Sequence, residues 1–184
     1  MKLVAVAAVA VAFVGLTGCM PQHDAPGNRY TVYIDPAFSP EDLTKAINAC
    51  DIWMQAINAA DAKNQFVLIP RIENKTCDAN TDGCKHAITI HPANADYAAN
   101  MCGTGEGTGG CTYREDEHNF MATSWDWANS YVVDGEGLTV FEHELGHSIG
   151  NRHSPNRSDV MWHSAGPDYP TANDVLQWEW NSGL

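Results

Sequence analysis

The run His143-Glu144-Leu145-Gly146-His147-Ser148-Ile149-Gly150-Asn151-Arg152-His153 carries three imidazoles and one free carboxylate within eleven residues. His143 and His147 are four apart, so on a helix they stand one turn above the other on a single face. Phe141, Leu145 and Ile149 fall together on a different face at about 100° per residue, which lets an apolar stripe pack on a core while both imidazoles point into a cleft. Two nitrogens so placed can reach one zinc at roughly 2.0–2.1 Å each. Glu144 points to the side of the pair, where it can touch a water on the metal without ligating it. Gly150 allows a sharp exit from the helix, because glycine tolerates the left-handed backbone such a turn needs. His153, three residues on, is then the third candidate ligand. Three protein ligands leave a fourth zinc position for water, which is a catalytic arrangement and not a closed structural one.

Read as a pattern, these residues are His-Glu-x-x-His-x-x-Gly-x-x-His. The stretch resembles the metzincin signature at every fixed position. Metzincins carry a methionine in a tight turn beneath the metal, and Met161, in Ser158-Asp159-Val160-Met161-Trp162, stands where that turn belongs. Methionine is also common core filler; its spacing from His153 is what singles it out. Ser154 directly after the third histidine, the eight residues from His153 to Met161, and Thr171-Ala172-Asn173-Asp174-Val175 look most like the matrixin branch. The resemblance implies a single catalytic domain of α/β (α+β) class. Its mixed twisted sheet would have about four to five strands, with a long backing helix, an active-site helix and a C-terminal helix. It implies a zinc-dependent endopeptidase with His143, His147 and His153 as ligands. Glu144 would activate a zinc-bound water and later protonate the leaving amine. His163, two residues past Met161, takes the place of a tyrosine that steadies the transition state in some branches; a surface histidine is the plainer reading. The competing function is a surface-anchored binding or structural module that keeps a zinc fold without turnover. Glu144 speaks against it, since a structural site needs no base beside an open position.

Working outward, Arg29 to Asp35 alternates and is β-branched and aromatic, so it reads as a strand. Ser39-Pro40-Glu41-Asp42 opens a helix with a serine cap, proline in the first turn and early acids. Leu43, Ile47, Cys50, Met54 and Ile57 recur on one face of that helix to about Ala60. Gln65 to Ile72 reads as a strand, with Pro70 placing it at an edge or bulge. Ala87 to His91 is a third strand, Asn119 to Trp125 a weaker one, and Tyr131 to Asp134 a short one. Asn100 to Thr112 reads as loop. A capping-box pattern, Thr139 with Glu142, starts the active-site helix, and Thr171 starts a last helix through about Trp180.

The 184 residues suit one domain with a real core. A formal charge of -13 argues against binding nucleic acid or anionic lipid through charge. At the N-terminus, Met1-Lys2 precedes an apolar run from Leu3 to Gly15, too short for a comfortable membrane span. Leu16-Thr17-Gly18-Cys19 resembles a bacterial lipobox. The expected organisation is a signal peptide over 1–18, a tether over 19–28 and a catalytic domain over 29–184. Cys19 would carry the lipid and hold an exported protein to the cell envelope, at the outer membrane or cell surface, where protein or peptide substrates are met. Export favours disulfides: Cys77 with Cys84 and Cys102 with Cys111 would each close a short loop, leaving Cys50 as a buried thiol. Asp78-x-Asn80-x-Asp82-Gly83 matches the front of a calcium loop, but Thr89 stands where its bidentate acid belongs. A disulfide-closed turn is therefore favoured over Ca2+. His86, His91 and His118 show no ligand spacing for a second zinc, and Trp125-Asp126-Trp127 reads as aromatic packing.

Overall fold

A computed structural model describes residues 29–61, 65–78, 84, 86–102, 108–114, 127–164 and 166–182. The expected signal peptide, Cys19 and the tether lie outside these residues. So do His118, the Asn119–Trp125 strand, and Asn80, Asp82 and Gly83 of the calcium-like motif.

Five strands form one sheet in the order β2-β1-β3-β5-β4. They are β1 (Arg29–Ile34), β2 (Val67–Ile72), β3 (Ala87–Ala93), β4 (Gly110–Arg114) and β5 (Trp127–Val133). All pairings are parallel except that of β4 with β5. Pro70 lies on β2, an edge strand, as a residue without a backbone donor should.

One sheet face is apolar: Val32, Ile34, Ile88, Ile90, Ala128 and Val132 are all buried. It shares a core cluster with residues of α1 (Pro40–Ala60) and α3 (Leu138–Ser148). The start of α1 follows its sequence: Ser39 Oγ accepts from the Asp42 amide at 3.1 Å, and proline sits in the first turn. The buried stripe of α1 is rotated from the expected one. Ala46, Ala49, Cys50, Trp53 and Ile57 form its centre, while Leu43, Ile47 and Met54 are only partly buried. Trp53 causes this rotation, because it is the largest apolar surface on the helix and its indole N–H also needs an acceptor. It donates to the Glu142 carbonyl at 2.8 Å and so joins α1 to α3.

The other sheet face carries a small cluster of Cys77, Cys84, Ala87 and Trp127. Disulfides Cys77–Cys84 and Cys102–Cys111 are both formed, and Cys50 is a buried free thiol, as expected. Among the described residues no helix is long and apolar enough to cross a membrane.

Three local readings are corrected. The span read as loop from Asn100 to Thr112 holds the end of α2 (Ala95–Cys102) and the start of β4. Glycines hide β4 in the sequence; pairing with β5 and the Cys102–Cys111 bond define it. The strand expected at Tyr131 starts earlier, at Trp127. Helix α3 begins at Leu138 with Gly137 at the cap and no side-chain cap, so the Thr139–Glu142 capping box does not form. Thr139 donates to Asp168 instead.

Candidate metal centre

Helix α3 ends in a Schellman turn. The Asn151 amide donates to the Gly146 carbonyl at 2.9 Å, and the Gly150 amide to the His147 carbonyl at 3.0 Å. Gly150 has φ of 112°, a conformation that glycine reaches without strain. The turn does two things. It swings the chain back so that His153 meets the helix, and it presents the Asn151 carbonyl to His147.

His147 Nδ1 lies 2.9 Å from that carbonyl, and His143 Nδ1 lies 2.8 Å from the Val160 carbonyl. A carbonyl only accepts, so each ring carries its proton on Nδ1 and an open lone pair on Nε2. The two Nε2 atoms are 3.1 Å apart. Burial, foremost, holds the His143 pKa below the usual imidazole value, which keeps the ring neutral. Two lone pairs at that distance repel unless a cation lies between them. His153 completes the set: its ring centroid is 5.2 Å from that of His143 and 4.7 Å from that of His147. Ligating atoms of the three histidines lie within 4.8 Å of one another. The donor set fits a metal that accepts three imidazoles.

Glu144, next to His143 on α3, is buried. Its Oε2 accepts from Thr112 Oγ1 on β4 at 2.6 Å. Gly110, also on β4, leaves space for it: a Cβ there would stand 2.6 Å from Glu144 Cγ and 2.7 Å from Oε1. Burial pushes the carboxyl up to about 7, with the Thr112 hydrogen bond pulling the other way. Behind Thr112, its hydroxyl lies 2.9 Å from Ser130 Oγ, which lies 2.7 Å from Ser148 Oγ on α3.

Met161 is fully buried under α3. A Cβ at Gly146 would collide with its sulfur and would come within 2.8 Å of Trp53. Two buried carboxylates shape the turn that carries it. Asp174 accepts from the amides of Val160 at 3.0 Å and Met161 at 3.2 Å. Asp159 accepts from Ser154 at 2.5 Å, Asn173 at 2.6 Å and Thr171 at 2.8 Å. Burial alone would raise the Asp159 pKa, but those hydrogen bonds outweigh it and leave the group below its usual 3.8. The Ser154 amide donates to the Met161 carbonyl at 2.8 Å and closes the loop.

The family model described as metallo-peptidase family M12 matches residues 33–175, more than three quarters of the chain. The chain belongs to metallo-peptidase family M12. No curated protein matches it. Among solved structures, metalloproteinase-II from Bacteroides fragilis is similar in fold, with a TM-score of 0.51 at 13% identity. That likeness covers 88% of this chain, which spans only 55% of the other. The matching model is the M12 one; the likeness to matrixins rests on Ser154, the His153-to-Met161 spacing and the start of the last helix.

In this M12 chain the structure thus brings His143, His147 and His153 together, with Glu144 buried on the same helix and Met161 packed against Gly146 of that helix. His163 is exposed, its ring 6.5 Å from that of His153 and its Nδ1 3.1 Å from Ser164 Oγ. His91 sits apart on the reverse sheet face and pairs with Asp35 at 3.2 Å. His86 packs edge-on against Tyr30. Among the described residues no second cluster of three metal-ligating groups occurs. Sequence reasoning missed Gly110, Thr112, Asp159 and Asp174. Only Asp174 carried a signal, as part of a helix start. Glu142, expected at a cap, is buried with no hydrogen-bond partner among the described residues for either carboxyl oxygen, and burial pushes it up to about 7.

Proposed function

We propose that the chain is a zinc-dependent endopeptidase acting on extracytoplasmic proteins, with His143, His147 and His153 as metal ligands and Glu144 as general base. One observation carries this reading: two Nε2 lone pairs converge at 3.1 Å, and the helix residue next to the first ligand is a buried carboxylate. A structural site has no use for that carboxylate. Membership of a metallopeptidase family supports the same chemistry.

The chemistry that a bound zinc supplies is polarisation of the scissile carbonyl and acidification of the attacking water. The protein does the rest. Backbone carbonyls of Val160 and Asn151 fix the two helical imidazoles in the ligating tautomer. Glu144 takes the proton from the attacking water and returns it to the leaving nitrogen. Met161 fills the floor beneath the ligands. His163, beside His153, is a secondary candidate for steadying the developing charge. Normal kcat in His163→Ala, with the metal retained, would remove it.

Location is part of the proposal. The Leu3–Gly15 run and the Leu16-Thr17-Gly18-Cys19 motif support export and lipid attachment at Cys19. Two disulfides support an oxidising compartment.

The decisive assay is cleavage of unfolded casein by the protein, with and without a chelator, alongside Glu144→Ala. Cleavage lost in both cases, with zinc still bound by the variant, is the expected result. Zinc-loaded protein that cleaves no member of a peptide library would overturn it in favour of a binding or structural module.

A further inference from the structure

Glu144 has two carboxylate oxygens, and the fold treats them differently. Oε2 is held at 2.6 Å by Thr112 Oγ1. Oε1 lies over the bare backbone of Gly110, at a position where a side chain would meet it. Neither constraint comes from the helix that carries Glu144. Both come from β4, at residues two apart and therefore on one face of the strand.

We propose that Thr112 is the positioning residue for Glu144: its hydroxyl ties down Oε2, and Gly110 keeps room for Oε1, the oxygen left for proton transfer. This deepens the peptidase reading and rests on it. Three features make the hold effective. First, Thr112 has one hydroxyl proton and two acceptors within reach, Glu144 Oε2 at 2.6 Å and the Glu144 carbonyl at 3.0 Å. The carboxylate is the nearer and stronger acceptor. Ser148 Oγ donates to the carbonyl at 3.0 Å, and Ser130 Oγ, at 2.9 Å, can donate to Thr112 in turn. Second, Ser130 and Ser148 are fully buried, so no water competes for those two hydroxyls behind the partly buried Thr112. Third, the strand cannot drift. Cys111, between Gly110 and Thr112, is bonded to Cys102, and Thr112 lies directly opposite Ser130 in the β4–β5 ladder. A buried carboxylate gripped by one donor on a fixed strand keeps one orientation. Without that donor, rotation about its last bond is broad and roughly two-fold.

The test compares Thr112→Val, which keeps the shape and removes the hydroxyl, with Thr112→Ser, which keeps the hydroxyl. Bound zinc, kcat and KM on a peptide substrate, and crystal structures of both zinc-loaded variants are measured. The expected result for Thr112→Val is full zinc content, KM within about twofold of the parent and kcat down about 10- to 100-fold. Its Glu144 should occupy more than one rotamer. Thr112→Ser should restore both kcat and the single rotamer. Gly110→Ala, which leaves the hydroxyl in place, should lower kcat through displacement of Glu144, and it serves if Thr112→Val does not fold. Unchanged kcat in Thr112→Val, a Thr112→Ser variant as slow as Thr112→Val, or an unmoved Glu144 would overturn the proposal. If the parent protein cleaves nothing, the peptidase reading fails, and the Glu144 rotamers still decide whether Thr112 orients it.

Discussion

The thioether of Met161 lies against Gly146 so closely that no side chain fits between them. Helix α3 can therefore rest on the turn that carries Met161 only because position 146 has no Cβ. Gly146→Ala should lower stability, although alanine favours helix by about 1 kcal/mol. Overpacking costs about 1–3 kcal/mol, and both neighbours, Met161 and Trp53, are fully buried. Urea denaturation of the zinc-free and zinc-loaded variant measures the balance. Unchanged stability would mean that Met161 repacks freely.

Asp174 joins the last helix, α4 (Ala172–Ser182), to the same turn. It also accepts from the Thr171 amide at 2.8 Å. Asp174→Ala should cost about 2–4 kcal/mol, because a cap and two buried amide partners are lost together. Val160 also supplies the carbonyl that orients His143, so zinc affinity should fall with stability. Calorimetry and zinc content check both. Lost stability with intact zinc affinity would separate the turn from the ligand.

Asp159 sets an acid limit. Its folded pKa is below 3.8, so its contribution is fully present above that value and is lost as pH falls through the lower folded one. Asp159→Asn should be less stable at pH 7, because the amide offers donors where Ser154 and Asn173 also donate. Its stability should also fall less steeply below about pH 4. Parallel Tm curves for parent and variant from pH 2 to 7 would contradict this.

Glu142 is the converse case, a buried carboxyl with no hydrogen-bond partner among the described residues. Glu142→Gln removes the charge that burial penalises and keeps the shape. It should raise Tm at pH 8 by roughly 3 °C. A fall in Tm would show that the carboxylate has a partner in solution.

Removing the metal should destabilise the fold, because the three histidines are held close together in the native state. Tm should rise with free zinc by the usual mass-action relation and drop with a chelator. His153→Ala should abolish that zinc dependence while leaving the metal-free Tm nearly unchanged, since His153 is exposed. Zinc dependence that survives in the variant would place the ion elsewhere.

How much of this was legible follows from the range of each interaction. The ligands were readable because a metal on a helix demands fixed local spacing, and Gly150 announces the turn within the same eleven residues. Helix α1 was readable from its cap. Strand β4 was not, since Gly109 and Gly110 erase the alternation that marks a strand, and its hydrogen bonds come from β5. Thr112 and Glu144 are 32 residues apart, so nothing local connects them. The Thr139–Glu142 box had the right residues in the wrong place. The cap falls two residues earlier, at Gly137, and Glu142 is buried instead of reaching back to the helix start. Trp53 was passed over because the aliphatic spacing on α1 gave a cleaner pattern than the single indole that sets the packing.

The Cys102–Cys111 bond staples the end of α2 to the middle residue of Gly110-Cys111-Thr112. In a reducing cytosol that staple is open, and β4 is left with its ladder to β5 and the Thr112 contact to α3, without a covalent tie. A chain that meets an oxidant only after secretion would finish assembling its cutting edge outside the compartment that made it. If the proposed export and peptidase activity hold, the cell's own interior proteins meet the enzyme only before that strand is locked in place.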